Sequence, residues 1–139
     1  MTCPECGSEQ VAFRVPADLR EYLPEEPAFA AICTRCLALE PTGADDPNGD
    51  GTEVADDPDF SAISDAFPRG DAGVAMALAV GLLDSLALYR SELESLLERV
   101  ERGGTDPLLV LDRLDSDPEV EPAFDVDRRR TQVEQLLYG

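Results

Sequence analysis

Along this chain the spacing of apolar positions changes once, from two to three-and-four, and each regime predicts a different kind of element. Val11-Ala12-Phe13-Arg14-Val15 alternates in the manner of a strand, and Ala28-Phe29-Ala30-Ala31-Ile32 offers a second extended run to pair with it. Between them, Ala17-Asp18-Leu19-Arg20-Glu21-Tyr22-Leu23 is bounded by Pro16 and Pro24 and predicts a short helix. From about residue 60 the longer spacing takes over. Phe60, Ile63 and Phe67 form a brief helical segment after the start signal Asp57-Pro58, ending at Pro68-Arg69-Gly70.

The pattern next predicts a long helix, capped by Asp71 and stopped at Gly103-Gly104 after Arg102. Ala79, Leu82, Leu86, Tyr89, Leu93, Leu96 and Val100 form its seam, with Glu92, Glu94, Glu98, Arg99 and Glu101 on other faces. At about 1.5 Å per residue it would be roughly 48 Å long, and Gly81 is a place where it could bend. Its apolar opening, Ala72 to Leu83, is short of the roughly 20 residues a bilayer requires, so it predicts a buried helix start.

Asp106-Pro107 opens a further helix through Leu114, and Ser116 with Glu119 suggests a capping box. A last helix, from about Asp125 to Leu137, turns Val126, Val133, Leu136 and Leu137 to one side. These short helices can cover the long seam, giving a helical bundle or hairpin. The same seam could instead associate with a second copy or another protein.

Residues 41–59 interrupt both patterns. They hold seven acids and no base among three prolines and three glycines, which predicts a solvated, flexible linker. Asp46, Asn48, Asp50 and Gly51 begin like an EF-hand loop. The match ends at Glu53, where an apolar anchor belongs, and at Asp57, where a bidentate glutamate belongs. The expected organisation is residues 1–40 as one unit, 41–59 as linker and 60–139 as a helical region.

Composition narrows the chemistry. The net charge is -19 over 139 residues, and all 11 basic residues are arginine. With 43% hydrophobic residues arranged periodically the chain should fold, despite an acidity that high salt would screen. Acidic surface without lysine looks like adaptation to extreme salinity. The absence of lysine excludes a Schiff-base or P-loop lysine, and the absence of histidine removes the commonest general base. Ser61, Ser64, Ser85 and Ser91 have no such base to activate them, and no glycine-rich loop opens a helix. Arg128-Arg129-Arg130 is the one basic cluster; it suits either phosphate contact or pairing with nearby acids.

The specific signal lies in the four cysteines, Cys3-Pro4-Glu5-Cys6 and Cys33-Thr34-Arg35-Cys36. Two Cys-x-x-Cys pairs supply four thiolates for tetrahedral Zn²⁺, so Cys3, Cys6, Cys33 and Cys36 are the expected ligands. Residues 7–32 separate the pairs, twenty-six positions against the usual roughly 15–20, an excess the short helix explains. Gly7 follows the first pair; Leu37 follows the second, so that turn should be tighter or differently shaped. A redox dithiol would sit after a strand, which the first pair does not. No signal peptide is evident, so a cytoplasmic location is expected and disulfides are not. The fold class is therefore α+β: an N-terminal Cys₄ zinc ribbon, an acidic linker and an α-helical bundle or hairpin.

The Cys3-Pro4-Glu5-Cys6-Gly7 knuckle with Cys33-Thr34-Arg35-Cys36 resembles the small CPxCG zinc-finger proteins of haloarchaea. The stretch from Asp59 to Pro68, continuing through Gly81 to Leu88, is similar to an uncharacterised haloarchaeal family joining such a ribbon to a helical tail. That resemblance implies a cytoplasmic zinc protein, with the four cysteines as its functional residues and no known activity. Leu37 departs from its pattern. The expected function is a non-catalytic interaction or regulatory module that binds protein or itself. The alternatives are a nucleic-acid-associated ribbon factor, which the charge opposes, and a zinc enzyme, which four filling thiolates oppose.

Overall fold

Strands form where the alternation predicts them. In the computed structural model, which describes residues 3, 5–23, 26, 28–41, 59–122 and 124–135, strand β1 (Gln10–Arg14) pairs antiparallel with β2 (Phe29–Cys33). Phe13 stands opposite Ala30, and Gln10 opposite Cys33. A third strand, β3 (Leu39–Pro41), adds to the other edge of β2 with Leu39 opposite Ile32. Three residues carry no readable period, so nothing in the sequence predicted it. The helix expected near 17–23 is reduced to turns with one 3₁₀ turn at Arg20–Tyr22, where the Arg20 Nε donates to the Val15 carbonyl at 3.0 Å. Leu19 and Leu23 nevertheless point into the core.

The long helix is a correction. Residues 70–102 form two helices, α1 (Gly70–Leu83) and α2 (Arg90–Arg102), folded against each other across a turn at 84–89. The reason lies in α1, which is buried from Gly73 to Val80 and again at Leu82 and Leu83. A helix apolar all round needs cover on every side. A straight continuation would carry the amphipathic half away from it. Folding back instead lays Leu93, Leu96, Leu97 and Val100 of α2 into the core, each worth about 1.5–3 kcal/mol when fully buried. The turn is held by the Ser85 carbonyl, which accepts from the Leu88 and Tyr89 amides at 2.9 and 3.2 Å, while Leu86 plugs into the core.

Helix α3 (Pro107–Ser116) begins as expected, with the Asp106 carboxylate accepting from the Leu108 amide at 3.0 Å. Helix α4 (Val126–Val133) is capped by Asp125, which accepts from the Arg128 amide at 3.1 Å. Leu136 and Leu137 lie outside the described residues, as do Asp57, Pro58 and the rest of 42–58. Two expected caps differ. The chain enters α1 through Gly70 at φ +63°, not through an Asp71 cap. Asp117, not Ser116, accepts from the Glu119 amide, at 2.9 Å.

Gly81 serves packing. A Cβ there would collide with Leu39, so the glycine lets α1 lie directly on β3. Sheet and helices thus share one cluster of buried side chains running from Phe13, Val15 and Ile32 to Phe60, Leu78, Leu96 and Val133. The Phe60 ring meets Phe13 at 5.6 Å, edge to face, and Phe67 at 5.3 Å. Arg99 of α2 also pairs with Asp18 beside the sheet. The boundaries 1–40, 41–59 and 60–139 stay a proposal from composition; across them, the buried side chains are continuous. The result is a mixed α+β molecule. The seam expected from Leu82 to Val100 is buried apart from the half-buried Tyr89. No helix among the described residues is long and apolar enough to cross a membrane.

Candidate metal centre

Each cysteine pair sits on a tight knuckle whose ends the sheet brings together. In the first, the Cys3 amide donates to the Ser8 carbonyl at 2.7 Å, the Gly7 amide donates to the Cys3 carbonyl at 2.8 Å, and Gly7 turns the chain at φ +78°. In the second, the Cys33 amide donates to the Ala38 carbonyl at 2.9 Å. Leu37 there adopts φ +63°, the same left-handed turn that Gly7 makes. The expectation of a tighter or different turn is corrected: the shape is kept, at a cost of about 1–2 kcal/mol for a residue with a Cβ. Burial of the Leu37 side chain, 1% exposed, offsets it.

The knuckles place the Cys3, Cys6, Cys33 and Cys36 sulfurs within 4.8 Å of one another. Cys6 Sγ lies 3.3 Å from Cys33 Sγ, and Cys3 Sγ 3.6 Å from Cys36 Sγ. A tetrahedral Zn²⁺ at about 2.3 Å from each sulfur sets sulfur–sulfur separations near 3.8 Å. The cluster brackets that value, and neither pair is at the roughly 2.05 Å of a disulfide. Four soft thiolate donors in this arrangement fit one tetrahedral cation.

Backbone amides face the sulfurs, as they do around bound metal. Arg35 and Cys36 amides point at Cys33 Sγ at 3.3 and 3.4 Å. The Ser8 amide and hydroxyl, followed by the Cys33 thiol, draw the exposed Cys6 thiol down to about 6. Burial pushes the Cys33 and Cys36 thiols up, outweighing the backbone amides that pull them down. A divalent cation held by Cys3, Cys6, Cys33 and Cys36 would reverse that balance and keep the four sulfurs as thiolates. Bound together to one tetrahedral ion, four thiolates would complete its shell.

Outside the knuckles, one tie escaped the sequence reading. Glu121, in the loop between α3 and α4, donates its amide to the Arg35 carbonyl at 2.8 Å and accepts from the Arg35 guanidinium at 2.7 and 3.1 Å. Eighty-six positions apart in sequence, these residues gave no signal. The arginine triplet is largely occupied. Arg129 donates to the Asp84 carbonyl at 3.0 Å and to Gln132 at 2.9 Å; Arg130 pairs with Asp112 at 2.5 Å and Glu134 at 3.2 Å.

No curated protein and no solved structure matches the chain. A family does: residues 2–137 match the family of unknown function DUF6276. That span takes in both knuckles, the sheet and every helix described above, and the chain belongs to this family.

Proposed function

We propose that the protein is a non-catalytic zinc protein in which Cys3, Cys6, Cys33 and Cys36 hold one structural Zn²⁺ and make the sheet a zinc ribbon. The single observation carrying this is the convergence of all four sulfurs within 4.8 Å from knuckles far apart in sequence. Complete thiolate ligation favours a structural over a catalytic ion. Unpaired thiols favour a reducing compartment, the cytoplasm. The role that follows is an interaction or regulatory module with a protein partner. Nucleic acid fits poorly, because Arg129 and Arg130 are engaged and the net charge of -19 repels phosphate. The same acidity suits a molecule working in high salt, where screening relieves self-repulsion.

Metal analysis of protein purified without chelator tests the reading. One zinc per chain is expected, lost in Cys33→Ser; protein with no zinc, or with zinc that survives this substitution, overturns it.

A further inference from the structure

The two faces of the sheet carry different side chains. Val11 and Phe13 of β1 stand opposite Ile32 and Ala30 of β2 and pack into the main core. The alternate positions face the other way: Arg14 lies over the ring of its partner Phe29 at 5.6 Å, and Gln10 stands opposite Cys33. Gln10 is therefore the β1 residue that shares a face and a register position with a candidate metal ligand.

The type of pairing brings these two side chains close. The ladder bonds between the strands fall on the odd-numbered side of β1. At one end the Thr34 amide donates to the Glu9 carbonyl at 2.9 Å, and at the other the Val15 amide donates to the Ala28 carbonyl at 2.9 Å. The Cys33 amide turns away from β1, donating to the Ala38 carbonyl at 2.9 Å. Gln10 and Cys33 thus form a non-hydrogen-bonded pair, the class in which Cα atoms approach to about 4.5 Å and side chains lie closest. A glutamine side chain is long enough to carry its amide nitrogen across such a gap to a cysteine sulfur.

Gln10 Nε2 is buried and has no hydrogen-bond partner among the described residues. Arg130 Nε is the other buried nitrogen without a hydrogen bond there, and it has the Asp112 carboxylate beside it at 2.5 Å. Gln10 has no such charge to meet. A buried amide donor left unpaired is costly and asks for an acceptor. A neutral thiol accepts weakly, whereas a thiolate held by a metal is anionic and accepts strongly. The missing partner is thus one that metal loading creates.

We propose that Gln10 is a positioning residue of the metal centre, its side-chain Nε2–H donating across the sheet to the Cys33 thiolate in the metal-loaded protein. The inference rests on the zinc reading above and adds to it a donor from β1. The Arg35 and Cys36 amides reach Cys33 Sγ from its own knuckle, at 3.3 and 3.4 Å. Gln10 reaches it from the strand that follows the first knuckle, so the bond joins the two halves of the site.

The full chain loaded with an NMR-active cadmium isotope tests the contact, because cadmium couples to protons through N–H···S hydrogen bonds. A proton–cadmium correlation spectrum should show a Gln10 side-chain amide proton beside the backbone amide protons of Arg35 and Cys36. Competition with a chromophoric chelator supplies a second measurement. Gln10→Met, close in size but without the donor, should bind zinc about 10–100-fold more weakly than wild type. Gln10→Glu, which sets a negative charge beside the sulfurs, should bind it more weakly still. Arg35 and Cys36 signals without one from Gln10 overturn the proposal, as does wild-type zinc affinity in Gln10→Met. A chain that takes up neither metal overturns the zinc reading itself, and this proposal with it.

Discussion

The two cysteine knuckles share a backbone plan and differ in what surrounds them. Each is closed by the amide of its first cysteine donating to the carbonyl five residues on, and each turns through a positive φ just after its second cysteine. The second knuckle is built into the molecule. Cys33 and Cys36 are buried, Leu37 is a core residue, and Glu121 clasps Arg35 from the far end of the chain. The first keeps Cys6 exposed and follows the turn with Gly7, around which an added Cβ would meet nothing. One knuckle is thus fastened by the protein core, whereas the other is tied to it through buried Cys3 and through the Glu9 carbonyl, which accepts from the Thr34 amide and hydroxyl at 2.9 Å. A four-cysteine cluster can take more of its rigidity from the fold on one side than on the other.

The largest expected effect comes from removing the metal. Structural zinc contributes about 10–16 kcal/mol in isolated finger peptides, where nothing else holds the fold. Here the main cluster of buried residues contains none of the cysteines, and Cys3, Cys33 and Cys36 form a separate one. Chelation or Cys33→Ser should therefore free the amides around 5–9 to hydrogen exchange first, leaving α1 and α2 protected. Loss of protection throughout the chain would show that the two clusters form one cooperative unit. Acidification should release the metal too, because protons compete for the thiolates.

Next in size is Leu37. Truncation to alanine should cost about 2–5 kcal/mol through the cavity it leaves. The sharper comparison is Leu37→Gly, which loses the same contacts but relieves the backbone. At ordinary positions glycine is worse than alanine by about 0.5–1 kcal/mol; here it should be better by about 1 kcal/mol. Chemical denaturation of the zinc-loaded variants decides this, and alanine proving the more stable would remove the strain argument.

Gly7→Ala isolates the backbone term at the first knuckle. With open space around the position, the cost should be only that of the positive φ, about 1–2 kcal/mol. It should appear as faster metal loss to a chelator, since Gly7 directly follows the candidate ligand Cys6. A loss rate equal to wild type would mean that the turn adjusts freely.

The smallest effect is at the clasp. Arg35 and Glu121 side chains are both about half exposed or more, at 49% and 64%, and exposed pairs contribute about 0.2–1 kcal/mol. Glu121→Gln should lower stability by that order in dilute buffer and by nothing measurable in molar salt, where the Debye length is about 3 Å. An effect that persists in molar salt would assign the stabilisation to hydrogen bonding and not to charge.

Local patterns carried much of this structure. The strands around Phe13 and Ile32, the helix starts at Asp106 and near Asp125 and the stop at Gly103-Gly104 were all legible, because each depends on a few adjacent residues. Other features were not. The break at 84–89 was invisible because the spacing of Leu82, Leu86, Tyr89 and Leu93 suits a continuous helix; what breaks it is the need to cover α1 from outside. Leu37 gave no hint of a left-handed turn, since its burial outweighs its propensity.

By itself, then, the order of residues determined the donor set: two Cys-x-x-Cys pairs at fixed spacing need only a tight turn each to present four sulfurs. It also determined the acidity and the kinds of element, which are properties of composition and short-range period. Only tertiary structure decided that the sulfurs meet, that α1 and α2 fold back on each other, that the sheet shares its core with the helices, and that Glu121 reaches Arg35. Those outcomes depend on which surfaces remove the most apolar area from water together, a sum over the whole chain that no local window contains.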